Sequence, residues 1–303
     1  MTPDFRGSFP ELCVMSFSRH SRRQPSNLLQ TTEGLFTAIQ TKGSYLCVGL
    51  DPDPELIPAD FGEGVEGMEA FCKDIVSATH HVAVAYKPNL AFFEQYGAEG
   101  WAALERVVDS ISSDVLVIAD AKRGDIGNTA TRYARAMFVG LGADAVTVAP
   151  YMGRDSVEPF TAFQDRWTIL LALTSNQSAE DFEFHGTNPL FKEVLMQSQT
   201  FAGSERLMYV VGATRPSMLR DIREMVPNAF LLVPGVGAQG GNVSNVAKYG
   251  MNRHCGLLVN SSRGILYAAG PQASREEALL EAKKAAEELA AQMLETLEIG
   301  GIR

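Results

Sequence analysis

The stretch DVLVIADAKRGDIGNTA, residues 114–130, decides how the chain is read. Val115, Leu116, Val117 and Ile118 form an apolar run, and Asp120, Lys122 and Asp125 follow within a few residues. A run that is apolar throughout, rather than alternating, suits a strand buried on both faces of a parallel sheet. Charges at the end of such a strand are costly unless they are paired or put to use.

Seven further runs share this character: 45–50, 82–87, 144–149, 168–173, 207–212, 229–234 and 255–260. Helical stretches separate them, among them GMEAFCKDIVSATHHV and AEGWAALERVVDSI. Residues 31–42 read as a lead-in helix. The tail SREEALLEAKKAAEELAAQMLETLE reads as a long helix with Ser274 as its N-cap, before Glu276 and Glu277. Eight strand–helix repeats predict an α/β fold, a TIM (β/α)8 barrel, with a doubly wound open sheet as the alternative. We assign the barrel to residues 27–303 and an N-terminal extension to residues 1–26. That segment contains the basic stretch SFSRHSRRQPSN, which could also suggest a transit peptide.

The chain has 303 residues and a formal net charge of −10, which argues against non-specific nucleic-acid binding. It has no apolar run long enough to span a membrane. Cys13, Cys47, Cys72 and Cys255 are scattered without a C-x-x-C pair, and read as reduced, buried residues of a cytoplasmic protein. His20, His80, His81, His185 and His254 lack metal-ligand spacing. No dinucleotide fingerprint or P-loop lysine occurs. No metal or cofactor is therefore expected.

In a barrel, chemistry sits where the strands end. There the sequence places Asp51, Lys87, the Asp120–Lys122–Asp125 triplet, Thr174, Ser175, Asn176 and Arg263. The glycine-rich PGVGAQGG after the seventh run, with Gln239, and the SSRGI after the eighth, with Arg263, lie where barrels usually hold a phosphate. Asp120 and Lys122 leave the third strand on one side, because alternate residues share a face. Carboxylates flanking each lysine favour its charged form, which disfavours a Schiff base and suits a proton donor to a developing carbanion. Asp125 lies beyond, at the entry to a helix opened by Gly127. It could fold back into its own site, cap that helix, or project into a facing barrel.

The motifs VGLDPD, AYKPNLAFFE, ADAKRGDIGNTA, GADAVTVAPYMGRDS and PGVGAQGG…SSRGI resemble the orotidine 5'-phosphate decarboxylase family, in particular its longer bacterial-type branch. The resemblance spans roughly residues 27 to 290. It implies cofactor-free conversion of orotidine 5'-monophosphate (OMP) to UMP and carbon dioxide in pyrimidine biosynthesis. By motif, Asp51 contacts ribose hydroxyls, Lys87 binds ribose and orients Asp120, and Asp120 faces the substrate carboxylate. Lys122 delivers the proton to C6. Thr174 or Ser175 contacts the pyrimidine, Pro234 belongs to the binding residues, and Gln239 and Arg263 hold the phosphate on a lid loop. Asp125 and Thr129 reach the neighbouring subunit's site, which implies a homodimer with shared active sites. The rivals are a magnesium-dependent keto-sugar-phosphate decarboxylase of the same superfamily and a non-catalytic phosphate-ligand binder.

Overall fold

In the computed structural model, Arg23 and residues 26–212, 216–235 and 242–302 are described. The eight apolar runs become eight parallel strands: β1 (Leu46–Leu50), β2 (Ala83–Pro88), β3 (Leu116–Arg123), β4 (Ala145–Val148), β5 (Trp167–Leu173), β6 (Leu207–Val211), β7 (Leu231–Pro234) and β8 (Leu257–Ser261). Each pairs with its sequence neighbour, and β1 pairs with β8 from Leu46↔Val259 to Val48↔Ser261, so the sheet closes into a barrel. The open sheet is excluded. Strand residues are buried almost without exception, because side chains of one face fill the barrel and those of the other meet the surrounding helices.

The lead-in helix runs Thr32–Lys42, with the Thr31 side chain accepting from the Gly34 N–H. The long tail helix runs Arg275–Ile299 from the expected Ser274 cap, a capping box closed by Glu277. Along it Ala278, Ala282, Ala286 and Ala290 are buried at a spacing of four, a stripe of small side chains along the packed face. No helix among the described residues is long and apolar enough to cross a membrane. Cys47, Cys72 and Cys255 are free and buried; Cys13 lies outside the described residues.

Two features of β3 differ from the simple reading. The strand continues to Arg123, so Asp120 and Lys122 belong to it. Its ladder with β4 is also irregular. Pairing passes from Ala119↔Val146 to Arg123↔Val148, four steps along β3 against two along β4. The surplus residues bulge out of register, and Lys122 within the bulge has φ +46.

At the opposite end of the barrel, Arg23 is tied down. Its Nη1 lies 2.9 Å from Asp144 Oδ2, and both side chains are almost fully buried. Its Nε and Nη2 donate to the carbonyls of Ile111 and Val115 at 3.2 and 2.5 Å. The barrel thus holds a residue that the sequence places in the N-terminal extension.

Candidate active site

The first three strands carry the charged core of the site. Lys87, near the end of β2, places its Nζ 2.5 Å from Asp120 Oδ2. Lys122 approaches the same carboxylate from the other side, with Nζ 2.6 Å from Oδ1. The Thr147 hydroxyl on β4 donates to Oδ1 at 3.1 Å. The Lys87 and Asp120 side chains are 8% and 9% exposed, whereas that of Lys122 is 52% exposed. Lys122 is therefore the more open of the two lysines at the barrel mouth.

These contacts fix the charges. Burial pushes the Asp120 carboxyl up, but Lys87 and Lys122 more than offset it and leave it depressed to about 2. Burial likewise works against the Lys87 ammonium, and the carboxylates of Asp120 and Asp51 override it, so its pKa is raised. Asp120 is ionised throughout the physiological range and has no proton to give.

One cavity, of about 210 Å³, is lined by Asp51, Lys87, Asp120, Ser175, Pro234 and Arg263, together with Asn89, Gly235 and Asn260–Ser262. A second, of about 240 Å³, shares Lys87, Asp120, Ser175 and Pro234 and adds Lys122, Thr147 and Thr174. Eight of the eleven residues expected from sequence thus meet at the C-terminal mouth of the barrel. Asp51 Oδ1 is buried without a hydrogen-bond partner among the described residues, an acceptor left for a hydroxyl. Gly49 gives Ser262 its room nearby, since a Cβ there would stand 1.9 Å from Ser262 Oγ and displace that hydroxyl.

Three expected residues stand apart. Asp125 and Thr129 line neither cavity. Asp125 Oδ1 accepts from the adjacent Ile126 N–H at 2.8 Å. The following helix, Gly127–Arg135, takes no side-chain cap, so Asp125 neither folds back nor caps it. Thr129 is exposed. Gln239 lies outside the described residues.

Other contributors are absent from the sequence reading. Glu183, in the long segment after β5, accepts from the Thr174 N–H at 2.8 Å and the Thr174 hydroxyl at 2.7 Å. Thr174 is thereby occupied, while Ser175 lines both cavities. Asn260, at the end of β8, accepts from Cys47 Sγ and donates to Ser262 Oγ within the mouth. Its signal was its place directly before SSRGI.

Comparison with known proteins agrees with this geometry. Residues 44–278 match the orotidine 5'-phosphate decarboxylase / HUMPS family. An orotidine 5'-phosphate decarboxylase from Flavobacterium johnsoniae is 54% identical over 265 residues, covering 86% of this chain and 97% of its own length. One from Bacteroides fragilis is 51% identical over 267 residues, with the same coverage. Among solved structures, the OMP decarboxylase of Leishmania donovani superposes with a TM-score of 0.73 at 36% identity, covering 87% of this chain and 99% of that one. The chain belongs to the orotidine 5'-phosphate decarboxylase family.

Proposed function

We propose that the chain converts OMP to UMP and carbon dioxide in pyrimidine biosynthesis, in the cytoplasm, without a cofactor. The observation that carries this reading is the Lys87–Asp120–Lys122 array at the barrel mouth. The substrate carboxylate at C6 lies against Asp120, whose ionised form opposes it and favours its departure. The C6–carboxylate bond breaks, carbon dioxide leaves, and the electron pair stays on C6. The Lys122 ammonium stabilises that charge and then protonates it. The half-exposed Lys122 regains its proton from solvent.

The remaining residues bind. Asp51 accepts from a ribose hydroxyl through its unpartnered Oδ1, and Lys87 donates to ribose while orienting Asp120. Ser175 serves the pyrimidine, because Thr174 is held by Glu183. Pro234 walls the mouth, and Arg263 with Gln239 takes the phosphate. Binding energy from the phosphate positions the reacting ring.

Adding OMP to pure protein in excess chelator tests the reading. A rapid fall in absorbance is expected. No fall would contradict it; magnesium-dependent turnover of a keto-sugar phosphate would then favour the metal-dependent rival, and no turnover of either a silent binder.

The functional unit in this proposal is a homodimer with shared sites. Asp125 and Thr129 miss their own cavities, and Ile126, between them, is 55% exposed. Tyr151 and Met152, in the loop beyond β4, are 86% and 48% exposed, and the Met152 methyl comes close to Gly124. Two-fold pairing would cover these apolar groups and exchange the two polar ones. Mixing inactive Lys122→Ala chains with inactive Asp125→Ala chains should restore up to about a quarter of parental activity, by counting over randomly assorted dimers. No recovery, with heterodimers confirmed, would show each site to be self-contained.

A further inference from the structure

Thr147 is 1% exposed and lies on β4 beside the bulge of β3. Its Oγ1 accepts from the Ala121 N–H at 3.0 Å and the Lys122 N–H at 2.9 Å, and donates to Asp120 Oδ1 at 3.1 Å. A hydroxyl offers one proton and two lone pairs, so this one is fully used. The two amides it satisfies belong to the out-of-register residues, which have lost their regular strand partners.

The same residues carry the strain. Lys122 has φ +46, a left-handed backbone that a side-chain-bearing residue holds only when its surroundings impose it. Two neighbours impose it. Thr147 fixes the amides of Ala121 and Lys122, and the Arg123 carbonyl just beyond accepts from the Ala149 N–H at 2.8 Å. Relaxation of φ toward the extended region would re-aim the Lys122 side chain away from Asp120. A valine of the same shape would leave both amides without an acceptor and remove a donor from the carboxylate.

We infer that Thr147 is a positioning residue: its single hydroxyl locks the strained turn that aims Lys122 and holds the carboxylate of Asp120 in register with it. This role rests on the proposed decarboxylation.

The test compares kcat on OMP with the dissociation constant for UMP in the parent, Thr147→Val and Thr147→Ser. Arg263, Asp51 and Ser175 still bind the nucleotide in each. Thr147→Val should lower kcat about 100-fold, as expected for a misplaced reacting group, while UMP affinity stays within about threefold. Thr147→Ser keeps the hydroxyl and should recover kcat to within about fivefold of the parent. A merely structural role would move stability, or turnover and UMP binding together, without this split. If the valine variant fails to bind UMP, Thr147→Ala replaces it; failure of both makes the hydroxyl a determinant of the fold and overturns the inference. Thr147→Val with parental kcat overturns it too. Turnover by the parent is measured first: its absence rejects the functional reading and this role with it, whereas a fully active parent matched by Thr147→Val rejects this role alone.

Discussion

Asp120 and Asp144 are both buried carboxylates beside cations, at opposite ends of the neighbouring strands β3 and β4. Their surroundings shift their pKa values in opposite directions. Asp120 stands between two ammonium groups and a hydroxyl, and its pKa falls to about 2. Asp144 has the Arg23 guanidinium and the Val117 N–H in contact and also feels the charge of Arg166; its Oδ1 has no hydrogen-bond partner among the described residues, and burial keeps its pKa raised despite both arginines. One end of the barrel sets two lysines against an ionised acid, with one of them open to solvent. The other end seals an Arg–Asp pair that no ligand reaches. The difference lies in how fully each carboxylate is hydrogen-bonded and in the access of its cations to solvent, and it separates a site from a fastening.

Breaking either pair should hurt stability, and only one should hurt chemistry. Asp120→Ala leaves Lys87 buried without its closest carboxylate, and Arg23→Ala leaves Asp144 without its cation. Each should cost about 3–5 kcal/mol in denaturant unfolding. Asp120→Ala should also remove turnover, while folded Arg23→Ala should keep it. Equal loss of turnover per folded molecule in both would erase the distinction.

A smaller effect is expected at the rim. Arg263 stands among the residues lining the first cavity, at the start of a short helix. Arg263→Ala should weaken UMP binding by about 1.5–3 kcal/mol, the worth of a charged hydrogen bond. Unchanged UMP affinity by calorimetry would remove Arg263 from the phosphate site.

The smallest effect is a pair of opposite pH slopes. The unfolded pKa of an aspartate is about 3.9. Between that value and about 2 the unfolded chain binds more protons at Asp120, so stability rises with pH across this window and is flat above it. At Asp144 the folded chain binds more protons, so its contribution falls as pH rises from about 3.9 through its raised value. Comparing unfolding of Asp120→Asn and Asp144→Asn with the parent across acid pH should therefore remove slopes of opposite sign. Slopes of the same sign would refute the contrast.

What the sequence made legible follows from range. The eight strands were readable because burial on both faces leaves an uninterrupted apolar run, and the site charges because they interrupt the ends of those runs. The bulge was not readable. Which ladder bonds β3 forms depends on β4, so neither the φ of Lys122 nor the saturation of Thr147 has a local signature. Glu183 returns to Thr174 only after the intervening residues 177–181 coil into a 3-10 turn. Arg23 reads as one of several basic residues in a segment without periodicity, and only the barrel's base identifies its acceptors.

The proposed chemistry turns on the ammonium of Lys122, with Asp120 opposing the substrate carboxylate and the other mouth residues binding. Lys122→Ala tests it most directly, with OMP turnover and UMP affinity measured on the same folded preparation. Turnover should vanish with UMP still bound. Near-normal turnover by that well-folded variant would contradict the account.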